Sequence, residues 1–216
     1  MKPKEIEKDI ELYCRFCNPP DKERIVYETS NFYVMLSLGP IVEGYLLICS
    51  KEHFDCCGKI ESILAKEFDE LAELVRQILI KAYGHCTFYE HGRAGSCMTF
   101  SEGSKHCYHA HMHCVPVNLE LNNLMDKNFL PIKHDNWNDF RKSNSQYNEP
   151  YLFVDDGNKV SHLVVKEDIR RQYLRHLVAK AIGAENLWNW VEHQRLDVIM
   201  SGREKLKPLF DSIVNE

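Results

Sequence analysis

The sequence predicts an α+β protein, an antiparallel β-sheet with one long helix packed on it and a C-terminal α/β extension. Three observations predict it. Over residues 59–83, Ile60, Ile63, Leu64, Phe68, Leu71, Leu74, Val75, Ile78 and Leu79 recur as one helical stripe, and Gly84 stops it. Short β-prone runs separated by turn residues stand on both sides of that helix. Finally, His109, His111 and His113 alternate with Ala110, Met112 and Cys114. A strand repeats every two residues, so the three imidazoles share one face. On a helix each would stand about 200° from the next, so His111 would face away from the other two.

Taken in order, residues 5–13 carry Ile6, Ile10 and Tyr13 at helical spacing and predict a short leading helix. Cys14-Arg15-Phe16-Cys17 follows, ended by the turn Asn18-Pro19-Pro20-Asp21. Residues 24–28 and 32–36 form a hairpin around Thr29-Ser30-Asn31. Gly39-Pro40 breaks the chain, and residues 44–50 read as a buried central strand with His53 just beyond it. After the long helix come a strand at 86–90 and a Gly- and Ser-rich loop at 91–105 that enters the histidine strand, which Pro116 closes. Residues 118–148 are polar with little periodicity, a long connection. Residues 151–155 and 160–165 flank Asp156-Gly157-Asn158 as a second hairpin. A helix is expected at 167–182, then Trp188 and Trp190, then a final charged helix. The division is a domain over 1–117 and an extension over 118–216.

The composition narrows the class. Lysine and arginine number 27 against 32 acids, a net charge of 27 − 32 = −5, so no global basic field favours nucleic acid. The first residues lack the apolar core of a signal peptide, and the apolar runs are too short to span a membrane. Nine cysteines in mixed contexts suit a reducing, cytoplasmic setting better than a disulfide framework.

Imidazole is largely neutral near pH 7, attacks electrophiles, carries protons and binds metals. A cluster of surface histidines on an edge strand is the plainer alternative. Cys14 and Cys17 have the C-x-x-C spacing that lets two thiolates hold one Zn²⁺, although the motif alone also fits two ordinary thiols. Cys56-Cys57 is a rival pair, but adjacent cysteines are poorly placed to chelate one metal. Lys166, Arg170, Arg171, Arg175 and Lys180 enrich the polar side of the helix expected at 167–182. A solvated face is the favoured reading of that charge run over a polyphosphate clamp.

The run from His109 to Val115 resembles, at every position, the His-apolar-His-apolar-His-apolar-apolar signature of the histidine triad (HIT) family. The resemblance implies a HIT-like fold, a homodimer, a nucleotide substrate, and hydrolysis of a phosphoanhydride or phosphoramidate at the α-phosphorus. It implies His109, His111 and His113 as the catalytic set. His111 would be the nucleophile, and the backbone carbonyl of His113 would fix its tautomer. It also implies a structural zinc bound by Cys14, Cys17, His53 and His109. Gly103-Ser104-Lys105-His106 stands where many relatives have Gly-Gln-Ser, making Ser104, Lys105 and His106 candidates for binding phosphate oxygens, with an ordinary polar loop the even alternative. Ser37 and Leu38 occupy the place of an acidic ribose-binding residue, and Glu90-His91-Gly92 the place of an asparagine. His at position 113 favours a hydrolase over a uridylyltransferase. A dinucleoside polyphosphate phosphorylase, an aprataxin-like processing enzyme for nucleic-acid ends and a non-catalytic nucleotide-binding protein are the alternative readings.

Overall fold

The computed structural model describes residues 14–95, 108–125 and 129–214. The leading helix expected at 5–13 and most of the loop that enters the histidine strand lie outside the described residues. Strands β1 (Ile25–Glu28), β2 (Phe32–Leu36), β3 (Leu46–Ser50), β4 (Thr87–Gly92), β5 (His111–Val115), β6 (Ile132–His134), β7 (Tyr151–Asp155) and β8 (Val160–Val164) build one sheet. Their order is β1-β2-β3-β5-β4-β7-β8-β6, and every neighbouring pair is antiparallel. The α+β architecture is as the sequence predicts.

Helix α1 (Ser62–Tyr83) covers one face. Phe68, Leu71, Ala72, Val75, Ile78 and Leu79 are buried against Phe32, Val34, Leu46, Ile48, Phe88, Met112 and Cys114 of the sheet. Gly84 ends the helix in the left-handed region at φ 88°, and its N–H donates to the Ile80 carbonyl at 2.8 Å. Ile63 belongs to the sequence stripe but is 81% exposed, because it lies in the first turn, ahead of the packed surface. Helix α5 (Leu196–Val214) lies on the same side, with Ile199, Leu206 and Phe210 buried and Phe210 stacked on Tyr27 at 5.4 Å.

The sheet runs across position 117 without a break. β7 lies against β4 with Phe88 opposite Asp155 and His91 opposite Leu152, and β8 and β6 extend the edge. The described residues of 118–148 also form more than a connection. It holds α2 (Leu121–Leu124), β6 and α3 (Trp137–Tyr147), capped by Asn136 accepting from the Asp139 N–H at 3.0 Å. Its polar sequence hides the helix because two aromatics and one ion pair hold it. Phe140 packs on Phe153 at 4.6 Å, Trp137 donates to Asp155 at 2.7 Å, and Arg141 grips Asp69 through both Nη atoms at 2.9 and 2.6 Å.

The helix expected at 167–182 starts later, as α4 (Tyr173–Ala181), because Gln172 adopts a left-handed conformation at φ 53°. Lys166, Arg170 and Arg171 therefore precede it. Arg175 is on the helix but buried, so it does not belong to a solvated face. Leu174, Val178 and Ala179 pack with Tyr45, Leu47, Cys49, Tyr89, Leu152 and Val154, covering the sheet face opposite α1.

Beneath the sheet, Glu90 is wholly buried. Its Oε1 accepts the Cys57 N–H at 2.7 Å and its Oε2 accepts the Tyr151 hydroxyl at 2.5 Å, while Tyr151 in turn accepts the Gly58 N–H at 2.8 Å. Burial pushes the Glu90 carboxyl up to about 7, with these hydrogen bonds opposing it. The raised value means the folded state holds the proton more tightly than the unfolded state, so stability falls as pH rises from the carboxylate's ordinary range through about 7. We expect a loss on the order of 3 kcal/mol across that window. Glu90→Gln, which can accept from Cys57 and donate to Tyr151, should flatten it in urea unfolding at about pH 5 and about pH 8.

Candidate active site and metal centre

The pleat builds the site. β5 lies between β3 and β4 with Cys49 opposite His111 and with Leu47 and Tyr89 opposite His113. Met112 and Cys114 point into the α1-side core, which leaves His111 and His113 on the other face with Cys49, Leu47 and Tyr89.

His111 Nδ1 lies 2.7 Å from the carbonyl oxygen of His109, to which it donates. That bond assigns the ring proton to Nδ1 and leaves a lone pair on Nε2. The acceptor is the first histidine of the triad and not His113, the residue the resemblance implies, because the ring folds back toward the backbone two residues before it. Burial holds the His111 imidazolium down to about 4, so the ring is neutral across the physiological range. Phe16, from the C-x-x-C turn, stacks on His111 with centroids 4.7 Å apart and on His109 at 5.3 Å.

His113 is 5% exposed and bonded through Nδ1 to the Tyr45 hydroxyl at 2.7 Å, and Tyr45 meets the hydroxyl of Tyr89. Tyr89 also stacks on the His113 ring at 4.6 Å. Burial pushes the His113 imidazolium well below its ordinary value. The extension reaches this layer. Arg175 lies over the Tyr45 ring at 5.1 Å and donates to the carbonyls of Gly39 at 2.6 Å and Trp188 at 3.1 Å.

His91 joins the same face, edge-on to His113 with centroids 6.1 Å apart. The sequence predicts a loop from position 91, and the structure instead keeps His91 on β4. The signal was present in the alternation of Tyr89 and His91, which carries the strand to Gly92.

The strand begins at His111, so His109, expected on the same strand face, lies just ahead of it, and there Cys14, Cys17, His53 and His109 place one ligand atom each within 4.8 Å of one another. Sγ of Cys14 is 3.5 Å from His109 Nδ1, and Sγ of Cys17 is 3.3 Å from His53 Nδ1 and 3.6 Å from His109 Nδ1. The two Nδ1 atoms are 3.3 Å apart. A tetrahedral ion with bonds of about 2.3 Å to sulfur and about 2.0 Å to nitrogen would set those edges near 3.5 and 3.3 Å. His109 Nε2 donates to the Ser50 carbonyl at 2.8 Å, which frees Nδ1 as a ligand. The donor set and spacing fit a metal ion. The rival Cys56 and Cys57 are buried in the α1-side core, where burial raises both thiols, Cys56 to about 11.

The expected phosphate-binding residues Ser104, Lys105 and His106 lie outside the described residues. Ser37 is buried with its hydroxyl donating to the Leu38 carbonyl at 3.3 Å, and Leu38 packs on the α1-side core. The extension holds the turn that follows them. The Gly39 N–H donates to the Gln194 carbonyl at 3.0 Å, and Arg195 donates to the carbonyls of Pro40 and Ile41 at 2.6 and 2.8 Å. A side chain at Gly39 would meet Trp190 at 2.6 Å.

Residues 2–130, more than half of the chain, match the family described as protein similar to CwfJ C-terminal. The chain belongs to this HIT-like family. The match runs past position 117 into the segment that holds α2. Among solved structures, the chain is similar to a hypothetical histidine triad nucleotide-binding protein from Sulfolobus tokodaii, at 22% identity over 48% of this chain and 68% of that one, TM-score 0.34. It is similar to a Hit-like protein involved in cell-cycle regulation from Bartonella henselae at 19% identity, covering 43% and 67%, TM-score 0.33. It is also similar to a HIT family hydrolase from Clostridium thermocellum at 19% identity, covering 48% and 89%, TM-score 0.32. No curated protein matches the chain.

The four-residue group makes a direct prediction. Titration with Co²⁺ should reach one equivalent and give thiolate-to-metal absorption, which Cys14→Ser and Cys17→Ser should each weaken by at least about tenfold in affinity. Equal binding by the double variant would remove the assignment.

Proposed function

We propose that this family member is a nucleotide hydrolase that cleaves a phosphoanhydride or phosphoramidate bond at the α-phosphorus through a nucleotidyl-His111 intermediate. The observation that carries the reading is the 2.7 Å bond from His111 Nδ1 to the His109 carbonyl, with the ring neutral. A neutral imidazole whose proton is fixed on Nδ1 presents its Nε2 lone pair to an electrophile.

The Nε2 pair attacks the α-phosphorus, the bond to the leaving group breaks, and the leaving group keeps that electron pair and takes a proton from water. The ring becomes a phosphorylated imidazolium, and its Nδ1–H stays on the His109 carbonyl, whose dipole opposes the new positive charge. Water then attacks the same phosphorus. The P–N bond electrons return to Nε2, and the water's second proton passes to solvent, so the products are a nucleoside monophosphate and the protonated leaving group.

Cys14, Cys17, His53 and His109 would hold Zn²⁺, which supplies a structural cross-link when bound. Through it the N-terminal turn stays on the strand, and Phe16 stays stacked on His111, shielding one face of the ring from water. The layered neutral histidines favour this reading over a scaffold, because depressed imidazole values cluster at reaction centres.

The test is α-³²P-labelled substrate, acid quench, and detection of nucleotide on the protein. A panel of adenosine and guanosine phosphoramidates, dinucleoside polyphosphates and adenylylated DNA ends would identify the leaving group. Wild type should trap label, and His111→Ala should trap none and turn over at least about 1,000-fold more slowly with the fold intact. Full turnover by His111→Ala would sink the proposal.

A further inference from the structure

The triad face holds a buried nitrogen for which the chemistry so far has no use. His91 lies on β4 beside His113, and its Nε2 accepts the main-chain N–H of Leu174 at 3.0 Å. A main-chain amide can only donate, so Nε2 must carry a lone pair and the single proton of the neutral ring must be on Nδ1. That Nδ1 is buried and finds no hydrogen-bond partner among the described residues. On the neighbouring ring, His113 Nε2 is buried and unpartnered in the same way. Buried polar groups left unpaired are costly and uncommon, and two on adjacent rings of one face mark a place where a polar ligand belongs. An anionic oxygen satisfies the Nδ1–H of His91, and it satisfies His113 Nε2 as well when the Tyr45 hydroxyl donates to His113 Nδ1.

Resting on the hydrolase reading, we propose that His91 is a fourth imidazole of the reaction centre, whose Nδ1–H donates to a phosphoryl oxygen of the nucleotide bound at the triad. The geometry also sets what His91 cannot do. Burial, together with the nearby His111, pushes its imidazolium down to about 3, so the ring carries no transferable acidic proton at neutral pH. It therefore cannot protonate the leaving group. A neutral imidazole held in one tautomer is instead a fixed dipole, suited to stabilising charge that grows on an oxygen. The amide that selects the tautomer comes from the first turn of α4, so the C-terminal extension sets the protonation of a group at the centre.

The experiment uses full-length ¹⁵N-labelled protein, with His91→Gln to assign the His91 ring signals. Wild type should show the Nδ1–H tautomer, and saturation with AMP or inorganic phosphate should move that proton downfield. In turnover, His91→Gln can accept from Leu174 through Oε1 and still offer an amide proton, so it should stay within about tenfold of wild type. His91→Leu removes both functions and should fall roughly 100-fold. An Nε2–H tautomer, an Nδ1 proton unmoved while ³¹P signals report saturation, or no binding of either probe would overturn the proposal. Its failure is distinct from that of the hydrolase reading. Wild type that traps no nucleotide on His111, while Nδ1–H still responds to AMP, defeats the covalent mechanism and leaves the donor role standing.

Discussion

The hydrogen bond between His111 Nδ1 and the His109 carbonyl joins two sites that would otherwise be separate. His109 contributes its carbonyl to the His111 ring and its Nδ1 to the group formed by Cys14, Cys17 and His53. Its Nε2 is spent on Ser50. A shift of the N-terminal turn would therefore be felt at His111 twice, through the backbone of His109 and through Phe16, which stacks on both rings. Tyr33 secures that turn by donating to the Phe16 carbonyl at 2.7 Å, and Arg15 lies over Trp190 of the extension at 5.9 Å.

The second organising constraint is burial on both faces of one sheet. A sheet with α1 on one side and open water on the other would leave its histidines solvated and near their ordinary protonation. Here α4 lies over the opposite face, and desolvation is the first cause of the lowered values at His91, His111 and His113. The extension thus does more than lengthen the sheet by β7, β8 and β6. It supplies the Leu174 amide to His91 and lays Arg175 over Tyr45, the partner of His113. Arg175 is held by two carbonyls, whose oxygens compensate a cation buried in that layer.

Elements with strong local period were legible in the sequence. The stripe from Phe68 to Leu79, the alternation of β5, and the hairpin around Asp156-Gly157-Asn158 each depend on spacing that a few residues decide. Elements held from a distance were not. α3 is polar and depends on Asp69, Asp155 and Phe153, far away along the chain. The start of α4 depends on one left-handed residue, Gln172, that no propensity marks. At the site, the grouping of Cys14, Cys17, His53 and His109 was legible from motif and resemblance. His91 was not, because its partner is a main-chain amide 83 residues on, and an amide has no side-chain signature.

The sequence by itself determined that His111 and His113 would share one strand face and that two thiols would sit close enough to hold one ion, because period and spacing are local properties. Only the tertiary structure decided which carbonyl fixes the tautomer of His111 and that the rings are neutral. It alone placed the extension over them. Those outcomes depend on what covers each atom and which distant group meets it, and burial is a property of the whole packed chain.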